Sequence, residues 1–147
     1  MYYHSNLIRY AFQMPRRLWH RRGFSVQSPS DYELVRDVLY ERLHYYAYAE
    51  QDIRTAADRQ MYRIYLHFRS RLKAHIMTVG PEAETELSKA IAAMHDEDAI
   101  VIEHILTANS TLWHEVARTT PHAICFDMGN RGLLLYNSKR ARQYYTF

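Results

Sequence analysis

The stretch His75 to Ile91, HIMTVGPEAETELSKAI, decides how this chain is read. An apolar run (Ile76, Met77, Val79) reaches Gly80, turns at Pro81 and opens a segment rich in Glu, Ala, Leu and Lys, the pattern of a strand feeding a helix. In an open α/β sheet, ligands sit beyond the carboxyl ends of the strands, where a glycine-rich turn offers backbone N–H groups and a helix N-terminus. This turn has a single glycine. Glu82, Glu84 and Glu86 follow it, which suits a helix N-terminus but repels an approaching phosphate or carboxylate. The stretch has the outline of a nucleotide cradle with little of its chemistry.

On the C-terminal side, Asp96-Glu97-Asp98 reads as a polar turn and Ala99 to Ile102 as a second strand ending at Glu103-His104. Its continuous apolar character predicts burial on both faces. Asn109 or Ser110 caps a helix through about Arg118 that holds Leu112, Trp113 and Val116. His122 to Asp127 reads as a third strand. The turn Gly129-Asn130-Arg131-Gly132 has two residues free to take positive φ, so Leu133 to Tyr136 returns antiparallel. Asn137 to Arg142 is a basic turn, and Gln143 to Phe147 a terminal strand.

On the N-terminal side the pattern is helical. Glu50 to Lys73 places Ile53, Ala57, Met61, Ile64, Tyr65 and Phe68 on one face. Before it lies the aromatic connector HYYAY (His44 to Tyr48). An earlier helix runs to about Arg42, with Ser28 or Ser30 as cap and Glu33 completing a capping box. Residues 1 to 22 read as a short amphipathic helix, a break at Pro15 and a basic turn. The whole is one compact domain: a helical region over 1–73 packed on an α/β part over 74–147.

Composition fits a single globular domain. The chain has 147 residues, 48% hydrophobic and 24% charged, enough to bury a core without disulfides. No window approaches the ~18 apolar residues of a membrane span. Cys125, the one cysteine, reads as a small buried side chain. Low cysteine use and the lack of a signal-like segment point to a cytoplasmic location. The net charge of +3 is unevenly spread, because no acidic residue precedes Asp31 while Arg9, Arg16, Arg17, Arg21 and Arg22 do. Such an arm either contacts phosphates or an acidic partner, or pairs with acids elsewhere in the fold. The thirteen tyrosines suit packing between layers with the hydroxyl at a polar edge.

The segment RRGFSVQSPSDYELVRDVLYERLHYYAY resembles the N-terminal helical extension of a bacterial group of class I S-adenosylmethionine-dependent methyltransferases. The stretch from Ala99 to Phe147 is similar to their last third: AIVIEHI matches the fifth sheet strand, TLWHEVART the next helix and AICFDMGNRGLLLY the closing hairpin. The resemblance implies a reduced Rossmann-like methyltransferase sheet, α/β, mixed, with about four to five strands and an antiparallel C-terminal hairpin. The second, third and fourth strands of the usual seven are missing, so the order implied is one, five, seven, six in the parent count. The first strand then has an open edge for the N-terminal helices, tyrosine-rich segments or a second subunit to cover.

The resemblance also maps a cofactor site onto Thr78, Gly80, Glu84 and Glu103. Thr78 stands where the family has an acidic residue, Gly80 keeps one glycine of the loop, and Glu84 falls where another is expected. No catalytic residue is assigned. Glu103 and His104 are competent metal ligands, but consecutive strand residues face opposite ways, so no metal is expected. His75 and the other histidines show no zinc-like spacing and read as surface or packing residues. Asp127 reads as an organiser of its turn.

Three functions remain in view. The first is a non-catalytic, truncated methyltransferase-like protein, a pseudoenzyme acting as a homodimer or through a protein partner. The second is an active methyltransferase using S-adenosylmethionine in a pocket completed by the N-terminal helices or a second subunit. The third is a nucleic-acid-binding module using Arg16, Arg17, Arg21 and Arg22, with Trp19 and tyrosines as stacking groups. The degenerate turn and short sheet favour the first.

Overall fold

The computed structural model describes residues 8–15, 17, 26, 28–42, 48 and 51–147. Arg16, Arg21, Arg22, Trp19 and most of the HYYAY connector lie outside the described residues. The fold is α/β, with helices on both faces of a five-stranded mixed sheet. Helix α1 covers 8–15, Pro15 lying within it. Then come α2 (Pro29–Leu34), a π-helical turn (Val35–Leu39) and α3 (Ala56–Phe68). Strand β1 (Leu72–Ile76) leads to α4 (Pro81–Ala92), and β2 (Ala99–Glu103) to α5 (Ser110–Thr119). Strands β3 (Ala123–Asp127), β4 (Arg131–Tyr136) and β5 (Gln143–Thr146) close the chain.

The sheet order is β1-β2-β4-β3-β5. Only β4 runs against its neighbours; β1 is parallel to β2, and β3 to β5. The carboxyl ends of β1, β2, β3 and β5 therefore share one edge. The order of the first four strands is the order expected above, and β5 adds a parallel edge beyond them. Both edges, β1 and β5, have no second partner strand among the described residues.

Each strand presents alternate residues to two cores. Ala99, Val101, Ile124, Phe126, Leu133 and Leu135 meet Leu34, Leu39, Ile64 and Phe68 of α2, the π-turn and α3. Ile100, Ile102, Cys125 and Leu134 meet Ala83 and Leu87 of α4 and Trp113 and Val116 of α5. The two-sided burial of β2 is the burial that its unbroken apolar run predicts, and β3 is buried in the same way. Burial raises the Cys125 thiol to about 12, which keeps it protonated and unreactive.

Several local expectations are corrected. The helix expected over Glu50 to Lys73 spans only Ala56–Phe68, because Thr55 caps its start by accepting from the Asp58 N–H (3.0 Å) and Arg69 ends it at φ 51°. The strand starts earlier than the apolar run suggests: Leu72 pairs with Ala99 and Ile76 with Ile102, and Met77 and Val79 lie beyond the ladder, 64% and 47% exposed. Ser28 precedes α2 without a side-chain capping bond; Pro29, with its φ preset, begins the helix instead. The helix expected to reach Arg42 ends at Leu39 in the π-turn. The carbonyls freed there are taken by α3, Arg63 donating to Val38 (2.6 Å) and Leu39 (3.1 Å) and Gln60 to Leu39 (2.9 Å).

Gly132, read as a turn glycine, belongs to β4. A Cβ there would lie 2.7 Å from two ring atoms of Trp113, so this glycine makes room for the indole. Gly129 alone carries the turn's positive φ, at 100°.

Candidate functional site

At the carboxyl edge the chain leaves β1 through Thr78 and enters α4 at Gly80, whose φ of 71° and ψ of −144° suit glycine. Nothing lies within 4 Å of a Cβ built on Gly80, so the backbone angle alone demands the residue. Thr78 Oγ1 donates to Glu86 (3.0 Å), and Glu84 is exposed in the first turn of α4. Asn109 takes the N-cap position of α5, as expected, but its side chain makes no capping bond. Its Nδ2 donates to the carbonyls of Thr78 and Glu103, each at 2.9 Å, lacing the loop after β1 to the end of β2.

The pleat sends the Glu103 side chain to the other face. Glu103 follows Ala99 and Val101 in the alternation and faces α3, while α4 packs on the Ile100 and Ile102 side. There Glu103 Oε1 accepts from Arg131 Nε (2.6 Å) and contacts His75 Nε2 (2.8 Å). His75 Nδ1 meets the Tyr65 hydroxyl at 2.9 Å. A neutral ring satisfies both contacts by donating from Nε2 and accepting at Nδ1. Arg131 also donates to the Ala57 carbonyl (2.7 Å) and to Gln60 (3.2 Å). Burial pushes the Glu103 carboxyl upward, but the His75 hydrogen bond and the Arg131 charge outweigh it and hold it below the usual range.

Thr78, Gly80, Glu84 and Glu103 thus do not converge on one cavity. Asn109 joins two of their backbones, but the Glu103 carboxylate is tied up on the opposite face, and Glu82 and Glu84 flank the glycine turn. His75, read as a packing residue, is the link that sequence reasoning missed; its position opposite Val101, in the same alternation as Glu103, is visible only in the ladder.

A different cavity, of about 530 Å³, opens between α5, β5 and α1. Ile105 and Leu106 after β2, Gly129 after β3 and Thr146 at the end of β5 place it along the carboxyl edge. Asp127 anchors its wall. One oxygen accepts from Arg17 Nη1 (3.1 Å) and the Gly129 N–H (3.0 Å); the other accepts from the Tyr144 hydroxyl (2.8 Å). Trp113 Nε1 donates to that hydroxyl at 2.8 Å. Burial, then the Asp127 charge, drives the Tyr144 hydroxyl far above its ordinary value, fixing it as a donor.

The turn-organising role expected of Asp127 is met by its bond to Gly129. Arg17, expected as part of a phosphate-contacting arm or of an ion pair, forms the ion pair: it binds Asp127 and the Phe147 carbonyl (3.0 Å) and stacks over Tyr10. Arg9, Arg118 and Arg142 line the same cavity, exposed. No sequence signal joins them, since they lie on three separated elements. Among the described residues, no group of three or more His, Cys, Asp or Glu could hold a metal ion, and no helix is long and apolar enough to cross a membrane.

No protein-family model, curated protein or solved structure matches the chain.

Proposed function

We infer that this chain is a non-catalytic protein built on a reduced methyltransferase-like sheet, and that it acts by binding. One observation carries the reading: the Glu103 carboxylate, at the carboxyl end of β2, is held by His75 and Arg131 on the face away from α4. The acids beside the Gly80 turn are Glu82, Glu84 and Glu86; Glu86 is taken by Thr78, and Glu82 and Glu84 repel the carboxylate of S-adenosylmethionine. The surfaces left for recognition are the arginine-lined cleft and the free edge of β1, beside which Met77 and Val79 are exposed. Self-association through that edge is one form of homodimer the sheet allows. The single, buried Cys125 suits a reducing, cytoplasmic setting.

Calorimetric titration with S-adenosylmethionine and S-adenosylhomocysteine, beside light scattering, tests the reading. Absence of heat at millimolar ligand is the expected result. Micromolar binding lost on Gly80→Ala would replace it with a working methyltransferase.

A further inference from the structure

We propose that the cleft between α5, β5 and α1 binds a small organic phosphate, of mononucleotide size or less. This rests on the reading that the chain works by binding, and names what the cleft takes. Its volume of about 530 Å³ falls within the roughly 300–1,000 Å³ common for small-molecule sites. Four arginines line it against one carboxylate, Asp127. That carboxylate is already matched by Arg17, the Gly129 N–H and the Tyr144 hydroxyl.

Arg9, Arg118 and Arg142 are therefore in surplus, and none forms an ion pair among the described residues. They arrive from α1, from α5 and from the loop before β5. Guanidinium forks converging on a concave wall suit the several oxygens of a phosphate, which accept paired N–H donors. Arg17 itself is 5% exposed and committed to Asp127 and the Phe147 carbonyl, so the cleft's free positive charge comes from the other three arginines, and an anion offsets it.

A nucleic-acid strand fits less well, because sequence-tolerant strand binding uses open aromatic faces. The ring of Tyr10 is covered by Arg17 at 4.6 Å, and Tyr144, 42% exposed, has its hydroxyl fixed at both ends, which leaves the cleft one aromatic face rather than a run of them.

The test is calorimetry of the whole chain with inorganic pyrophosphate and with adenosine 5′-monophosphate at about 0.1 M salt, beside a single-stranded oligonucleotide. Both phosphates should bind with Kd below about 1 mM. Arg118→Ala combined with Arg142→Ala should weaken them at least ~10-fold, since each removes a charge-assisted donor; both residues are exposed, so the thermal midpoint should not move. Silence with both phosphates overturns the proposal, as does binding that the double variant leaves intact. Oligonucleotide binding that displaces the mononucleotide and falls steeply with salt overturns the small-molecule class. Heat from S-adenosylmethionine with phosphate binding intact would sink the function reading and spare this site; silence from all three would do the reverse.

Discussion

Replacing Gly132 by alanine adds one methyl group at the point where the sheet touches the indole of Trp113. The new Cβ would lie 2.7 Å from Cη2 and Cζ3 and 2.9 Å from Cε3, well inside van der Waals contact. Neither side can give way freely. Gly132 pairs with Ile102 on one side and Asp127 on the other, in the middle of the sheet, while Trp113 is fully buried and its Nε1 is tied to Tyr144. Overpacking of this kind costs about 1–3 kcal/mol. The upper part of that range, ~2–3 kcal/mol, applies here because tilting the indole also disturbs the Trp113–Tyr144–Asp127–Arg17 chain. For a chain of this size that corresponds to a fall in melting temperature of roughly 5–10 °C. Differential scanning calorimetry reads the shift, and Trp113 emission reports whether the indole has moved. A variant melting within about a degree of the parent, with unchanged emission, would refute the claim that Gly132 exists to seat the indole.

Three further outcomes follow from the same geometry. Glu103→Gln leaves Arg131 and His75 without their carboxylate and should cost about 2 kcal/mol at pH 7, the scale of a charged hydrogen bond. Because the folded-state pKa of Glu103 is depressed, its contribution is full above the unfolded value near 4.5 and fades as pH falls through the folded value. Urea midpoints of parent and variant should therefore converge on acidification, and a gap that stays constant from pH 7 to pH 3 contradicts the assignment. Asp31→Asn breaks a bidentate pair in which the carboxylate is 1% exposed, with Arg140 at 2.7 and 2.5 Å, and should cost ~3 kcal/mol. Amide exchange should rise across β5, which that pair clamps to α2; unchanged exchange there counts against it. Gly80→Ala should cost about 1–2 kcal/mol from its positive φ alone and leave phosphate binding at the cleft unaltered. A thermal shift near zero would contradict that cost.

Local signals carried much of the architecture. The unbroken apolar run Ala99 to Ile102 is stable only when covered on both faces, so it announced a buried strand before any contact was known. Gly80-Pro81 and Gly129 marked the turns, because few other residues adopt those angles. The order of the first four strands was expected only from the resemblance of the C-terminal stretch, and the parallel β5 edge was not. What local pattern misled was the boundary between α3 and β1: Leu72 to Ile76 is a short strand following a basic turn, and its ladder with β2 decides where it begins and ends.

The sequence by itself determined the α/β class, the turn at Gly80, the hairpin and the fate of Cys125, all properties set by a residue and its near neighbours. The tertiary structure alone decided which polar groups meet. Glu103 faces His75 and Arg131 because the pleat puts residues 28 positions apart on one face. The cleft exists because Arg9, Arg118 and Arg142, far apart along the chain, are carried to one wall by α1, α5 and the approach to β5. Side-chain periodicity reveals which face a residue takes, but only strand order and helix placement reveal what stands across from it.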